Sequence, residues 1–519
     1  MPSPCARAAG AAAALTAMTA ASLVTAAPVD ALVGDKATDA AYAATAQLQV
    51  GNVRRACSGV LVGPEWVLTA ASCFADGTDT VKAGPPKQKT TVTVGRTDLT
   101  QPGASVQEAV ELVPRADRDV VMVKLAQRIV GVTPLPIATT APKPGDRIRA
   151  LGFGRTADAW VPDRLHQTDL TIRTVDATTM QLDGSAHAAL CQGDAGGPAL
   201  RTKPSGGYEV VSVNSRSWQG GCIGTDAKET RTAAANTRLD DVAGWVGQVR
   251  LATLVPDVTA VMTTGRFNPN GQGRTDVAAV TKDGNLHAFY ARSDGTFEYG
   301  RPLWKQDGSW KNVTKIIGGD FNGDGRGDIA AIWPGGSLQL YAGQAGETLA
   351  PAKRMWPDGT NWSQMLQLTR FKADSSGRDG LLAVWGGGPK GAIYAYSTAA
   401  DGVLNGQKRN MWRDNSWQYM QRITAGDFTG SDRDDVVALA GDGRLLRYHG
   451  NNSGGLDNAA AMWPDKGWGT MPVILSGDFD GDGNTDMGGL WNNQQRFNFY
   501  RGNGQGSITT GTNAWPTIR

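Results

Sequence analysis

One motif returns at nearly constant spacing through the second half of this 519-residue chain. It reads Gly319-Asp320-Phe321-Asn322-Gly323-Asp324-Gly325-Arg326-Gly327-Asp328, and again Gly477-Asp478-Phe479-Asp480-Gly481-Asp482-Gly483-Asn484-Thr485-Asp486. A weaker copy covers 426–435, and divergent copies begin near Phe267 and Phe371. The phenylalanines at 267, 321, 371, 428 and 479 are 54, 50, 57 and 51 residues apart. Copies lead into apolar strand-like runs such as 329–332 and 436–439. Most units also carry a tryptophan pair, as in Trp304 with Trp310, Trp412 with Trp417 and Trp463 with Trp468. Self-similarity at a fixed period restricts residues 255–519 to a repeat architecture.

These motifs resemble the FG-GAP (integrin-α-like, VCBS) repeat family, and five units then imply a five-bladed β-propeller. The last unit stops at Ala514-Trp515-Pro516, and residues 257–264 read as the strand that follows it. On that reading the two ends complete one blade and remove the exposed edges. In the two strong loops, oxygen side chains fall at alternate positions and glycine permits a tight turn. Such a loop suits a hard cation held by six to eight oxygens, typically Ca2+. The predicted metal positions are Asp320, Asn322, Asp324, Arg326 and Asp328, and Asp478, Asp480, Asp482, Asn484 and Asp486. The third loop has Thr429 and Ser431 in place of charged ligands, and the other two are expected to bind nothing. An Asx-rich turn satisfied by its own backbone is the bland alternative.

The first half has a different texture. Strand-like runs at 46–50, 59–62, 67–68, 90–94, 120–125 and 171–175 alternate with Gly, Pro and Asp punctuation, which predicts an all-β barrel or sandwich. Arg7 precedes a small, apolar run from 8 to 27 and then Val29-Asp30-Ala31, the pattern of an export signal over residues 1–31. Removing Cys5 with that segment leaves Cys57, Cys73, Cys191 and Cys222, for which sequence alone allows three connectivities. None has a CxxC-type spacing, so metal binding by cysteine is not expected.

Ordered motifs then narrow the fold. Leu32-Val33-Gly34-Asp35, Cys57-Ser58-Gly59, Trp66-Val67-Leu68-Thr69-Ala70-Ala71-Ser72-Cys73, 119–125, Gly152-Phe153-Gly154-Arg155 and Cys191-Gln192-Gly193-Asp194-Ala195-Gly196-Gly197-Pro198 follow one another. Together they resemble the trypsin-like serine proteases over residues 32–250. The resemblance implies two six-stranded β-barrels, a closing helix over 239–249, and disulfides Cys57–Cys73 and Cys191–Cys222. Closing the first, loop-sized link stabilises by roughly 3 kcal/mol in the chain-entropy model. It also implies an oxyanion hole at the Gly193 and Ala195 amides, Asp194 as partner of a new amino terminus at Leu32, and Ala189 at the base of the specificity pocket.

At two positions the chain departs from that family. The family has its base histidine where this chain has Ser72, and its nucleophilic serine where this chain has Ala195; of the triad positions only Asp119 keeps its residue. A methyl group cannot attack a carbonyl, and a hydroxyl has no pKa near neutrality with which to act as base. Losing such groups costs on the order of 10⁶ in rate, about 8 kcal/mol of barrier. Neither His166 nor His187 occupies a motif position. The expected activity is therefore binding of an extracellular protein, peptide or glycan by a secreted protease homologue. Two rivals are an active serine-type endopeptidase with a non-standard site, and a propeller lectin with an inert passenger domain. Charge argues against other partners: 51 Lys+Arg against 49 Asp+Glu leaves no electrostatic case for nucleic acid or an anionic membrane. No segment beyond the signal could span a bilayer.

Overall fold

The computed structural model describes residues 35–515, except 38–39, 53, 78, 186–188, 205, 270, 346–347, 357–360 and 492–495. The export segment and Leu32 lie outside the described residues. A short strand β1 (Asp35–Lys36) precedes the first barrel, whose strands are β2 (Thr45–Val50), β3 (Arg55–Gly63), β4 (Trp66–Thr69), β5 (Thr90–Val94), β6 (Ser105–Pro114) and β7 (Val121–Leu125). They close in the order β2-β3-β4-β7-β6-β5. Alternation buries Leu48, Leu61, Val67, Val92, Val121 and Val123 in its interior.

The second barrel is built from β8 (Arg147–Gly152), β9 (His166–Val175), β10 (Thr179–Asp183), β11 (Pro198–Thr202), β12 (Tyr208–Ser217) and β13 (Ala234–Arg238). The order β8-β9-β10-β13-β12-β11 returns to β8, and β1 adds to β9 at its edge. Cys57 bonds Cys73 and Cys191 bonds Cys222, as the resemblance implies. Each link pins a loop of the cleft that runs between the barrels.

The closing helix α1 (Ala243–Leu254) starts and ends later than expected. Residues 239–242 instead form a turn in which Leu239 N–H donates to the Val211 carbonyl. The helix runs on because both of its faces find cover. Val246 and Val249 pack on the barrels, while Leu251 and the following Val255 enter the core of the first blade. The sequence reads the stretch around 248–256 as a short link between the two parts; it is instead helix followed by one 3-10 turn, Val255–Asp257.

Five four-stranded antiparallel sheets make the remainder a five-bladed propeller. The inner strands are Val258–Gly265, Lys315–Gly319, Met365–Phe371, Met420–Gly426 and Val473–Gly477. A 3-10 turn carrying a buried tryptophan (310, 362, 417 or 468) leads into each of blades two to five. These rings pack against Tyr341, Tyr396, Tyr448 and Tyr500, at centroid distances of 4.8, 5.3, 4.7 and 4.7 Å. Aromatic wedges of this kind fill the widening gap between neighbouring blades.

The ring does not close by a shared blade. Val258–Gly265 pairs with Asp276–Thr281 of its own blade, and the last blade has its own outer strand, Thr512–Asn513. A local hairpin costs little loop entropy compared with pairing the two distant ends. Closure repeats the ordinary contact between blades instead. Phe297 N–H donates to the Ala514 carbonyl at 2.9 Å, just as Leu349 donates to Leu303, Leu404 to Met355 and Leu456 to Met411. Trp515 then stacks on Phe497 and lies 6.0 Å from Phe289.

Candidate functional site

The cleft between the barrels holds a cavity of about 430 Å3, and Ser72, Gly193, Ala195 and Ser215 line it. Ser72 sits in the 3-10 turn Ala71–Phe74. Arg55 braces this turn by donating to the Cys73 and Ala75 carbonyls at 2.9 and 2.7 Å. Asp119, just ahead of β7 in the same barrel, touches it directly. Its carboxylate accepts the Ser72 N–H at 2.7 Å, the Ser72 hydroxyl at 3.1 Å and the Ser215 hydroxyl at 2.6 Å. Three short contacts occupy a carboxylate that in a hydrolase of this class would orient an imidazole. Ser215 escaped the sequence reading because it stands on the irregular end of β12 without a local motif. Proximity to Asp119 is visible only in three dimensions.

The Ala195 loop is set by glycine and by buried polar contacts. The Ala195 carbonyl accepts the Ser58 N–H at 2.9 Å, and the Ser58 hydroxyl bridges the Gly193 carbonyl and the Phe153 N–H, each at 2.9 Å. Gly193 has φ +104°, a conformation L side chains rarely adopt. The buried Asp194 carboxylate accepts the Gly154 and Cys191 amides, each at 2.8 Å. Burial pushes its pKa up to about 6 in spite of those two donors. The expected partner of Asp194, an amino terminus at Leu32, lies outside the described residues.

Ala189 is 2% exposed and packs with Cys191 and Cys222. Beside it the Ser217 hydroxyl donates to the Leu190 carbonyl, tying β12 across to the segment before Ala195. Ala189, expected at the base of a specificity pocket, does not line the cleft cavity, whereas Leu190 and Ser217 do. His166 begins β9, and His187 lies outside the described residues.

The acidic loops of the propeller differ from one another. Asp478, Asp480 and Asp486 each present a carboxylate oxygen within 4.8 Å of the others. Burial, with Asp480 and Asp482 nearby, pushes the Asp486 pKa up to about 7, and burial raises Asp478 as well. Asp480 also pairs with Arg501. Crowded, partly buried carboxylates fit a hard cation, whose charge offsets their repulsion. Asp482 accepts the Asn484 amide in the turn beside them.

Blade two is looser. Asp328 is fully buried and accepts the Phe321 and Gly343 amides, as Asp486 accepts those of Phe479 and Gly502; blade two differs in lacking, among the described residues, the close carboxylate cluster found in blade five. Asp324 pairs with Arg326 at 3.1 Å, and Asn322 accepts the Asp324 amide. Asp320 takes the Gly325 amide on Oδ2, while its buried Oδ1 has no partner. In blade four Asp427 is filled by the amides of Thr429, Ser431 and Asp432 from its own turn.

Barrel pair, cleft and propeller define a protease-type scaffold joined to a repeat ring, and comparison with known proteins agrees. The family model described as Trypsin matches residues 31–246, and the FG-GAP-like repeat model matches 269–331. The chain therefore carries a trypsin-family domain followed by FG-GAP-like repeats. Among curated relatives, Granzyme C of Mus musculus is 30% identical over 168 residues, covering 28% of this chain and 61% of its own length. Kallikrein-4 of Homo sapiens is 25% identical, with 28% and 62% covered. Protein masquerade of Drosophila melanogaster is 28% identical, with 37% and 20% covered. The chain thus spans from about a fifth to about three-fifths of the length of these relatives. No helix among the described residues is long and apolar enough to cross a membrane.

Proposed function

We propose that this protein is a secreted, non-hydrolytic homologue of the trypsin-like proteases that binds an extracellular protein or peptide in its barrel cleft. The observation that carries this reading is the occupancy of Asp119. Serine hydroxyls and a backbone amide fill the carboxylate, and position 195 offers only a methyl group. Proton transfer and nucleophilic attack both lack their groups, while the cleft and its two disulfides keep the form a peptide would need. The Gly193 and Ala195 amides supply a hydrogen-bonding station for a bound carbonyl. Two disulfides favour an oxidising compartment, which supports export.

The propeller is read as a calcium-bearing ring, with Asp478, Asp480 and Asp486 as the principal ligands. The cation would tie the fifth blade's loop to its second strand.

Incubating the protein with casein and with a fluorophosphonate probe tests the reading. Neither cleavage nor labelling is expected. Turnover that disappears on mutating one hydroxyl, such as Ser72→Ala or Ser215→Ala, would establish an active endopeptidase instead.

A further inference from the structure

Strand register places the five repeat loops in phase more securely than their sequences do. Gly265, Gly319, Phe371, Gly426 and Gly477 each stand opposite the first residue of the second strand. The residue after each is the first acidic position of the loop. Blades two, four and five have Asp320, Asp427 and Asp478 there; blades one and three have Arg266 and Lys372. The charge at that position has been reversed on both sides of blade two.

Those two cations face connected space. Arg266 shares a cavity of about 430 Å3 between blades one and two with Arg274, Arg301 and Arg326, and no Asp or Glu lines it among the described residues. Its floor is glycine. A Cβ on Gly327 would come within 2.8 Å of the Phe267 ring and 2.9 Å of the Arg266 nitrogen, and Gly327 N–H donates to the Arg266 carbonyl at 2.8 Å. The close approach of the two blades thus fixes where the Arg266 side chain departs.

A second cavity of about 310 Å3 shares Arg266 and Arg326 and reaches Lys372. Asp320 and Asp379 line it too, yet Asp379 is paired with Arg370 at 3.3 Å. Some of the first cavity's guanidiniums have structural duties. Arg274 donates to the Ala291 carbonyl, Arg301 to the Phe267 carbonyl, and Arg326 pairs with Asp324. Arg266 pairs with no acid among the described residues, and the Arg301 Nε is buried without a partner.

From this arrangement we infer a binding site for an acidic oligosaccharide, carrying sulfate or uronate groups, along the loop face of blades one to three. Guanidinium groups present paired donors that match carboxylate and sulfate oxygens. Arg326 has Asp324 as counter-charge, but no acid lines the first cavity among the described residues, and a bound polyanion relieves the repulsion among its cations. Two cavities that share Arg266 and Arg326 suit an extended ligand with charges on successive units. Asn268, Gln272 and Gln344 border the first cavity and can bond sugar hydroxyls.

Calorimetric titration of the full chain with a heparin hexasaccharide, and separately with a polyglutamate of equal charge, tests the assignment. The hexasaccharide should bind, and raising salt from about 50 to about 500 mM should weaken it strongly. Arg266→Glu with Lys372→Glu should lower the affinity at least about tenfold, a change of about 1.4 kcal/mol. Arg173→Glu, on the second barrel, should leave it unchanged. Arg266→Gln keeps the test available if the double variant fails to fold, because it alters one exposed side chain. Undiminished binding by the loop variants, equal loss with Arg173→Glu, or preference for polyglutamate would each overturn the proposal.

Discussion

Asp194 is held in a sleeve of backbone. A Cβ added to Gly154 would lie 2.5 Å from both the Asp194 nitrogen and Oδ1, and one added to Gly152 would lie 2.1 Å from Oδ1. Gly154→Ala must therefore push the Ala195 loop outward. We expect a loss of about 1–3 kcal/mol in urea unfolding, together with weaker peptide binding in the cleft. Stability unchanged within error would show that the sleeve is not needed. The departures at Ser72 and Ala195 were legible in the sequence because flanking motifs mark those positions. The donation from Ser215 was not, since nothing in its local sequence indicates an approach to Asp119 from another barrel.

At the scale of elements, the propeller shows what periodicity can and cannot deliver. Its five-fold count was legible, because each unit repeats a strand and a loop and most add a tryptophan pair. The phase of blade three was not: register puts Phe371 in the place of the motif's glycine and Ala373 in the place of its phenylalanine. A shift of two residues keeps the same strand face inward, so pattern alone does not reveal it. The wedge tryptophans should dominate blade stability. Trp417→Ala removes a ring that is 1% exposed and packed on Tyr448. A loss of about 3–5 kcal/mol is expected, measured as a drop in thermal midpoint; a shift under a degree would contradict the wedge role.

The acidic loops were legible as a class but not individually. Geometry singles out blade five, because among the described residues its Asp478, Asp480 and Asp486 bring carboxylate oxygens within 4.8 Å of one another. Chelator should lower the melting temperature of the parent protein, and Asp478→Asn with Asp480→Asn should abolish most of that response. Asp324→Ala should leave it largely intact. A melting curve indifferent to chelator would refute the calcium assignment.

Over the whole molecule, α1 joins the two halves as one packed unit. The Trp66 indole donates to Thr253 at 3.3 Å, Arg250 lies over the Tyr299 ring at 3.9 Å, and Arg128 pairs with Asp283 at 3.1 Å. His287 is buried in this seam beside Tyr299, and desolvation lowers its pKa to about 4. Its neutral form is the one that folds. Between pH 6.5 and 4 the unfolded chain binds the extra proton, so stability is full above 6.5 and declines as pH falls. By pH 4.5 the decline attributable to His287 should be about 2–3 kcal/mol. Urea titrations at neutral pH and pH 4.5 should show it for the parent and not for His287→Gln. Parallel slopes for the two proteins would contradict this account of the seam. Sequence suggested only a short link here, because a helix that serves two cores at once has no simple one-sided apolar stripe.

Under the proposed function, the trypsin-type scaffold persists while its reaction is lost. Ser72→His with Ala195→Ser restores both groups beside Asp119, and hydrolysis of an activated ester of N-acetyl-alanine reads the outcome. The parent protein should give no turnover above the uncatalysed rate, and the double variant a rise of about 10²-fold or more above that rate. Hydrolysis by the parent at a rate equal to that of the restored variant would contradict the proposed function.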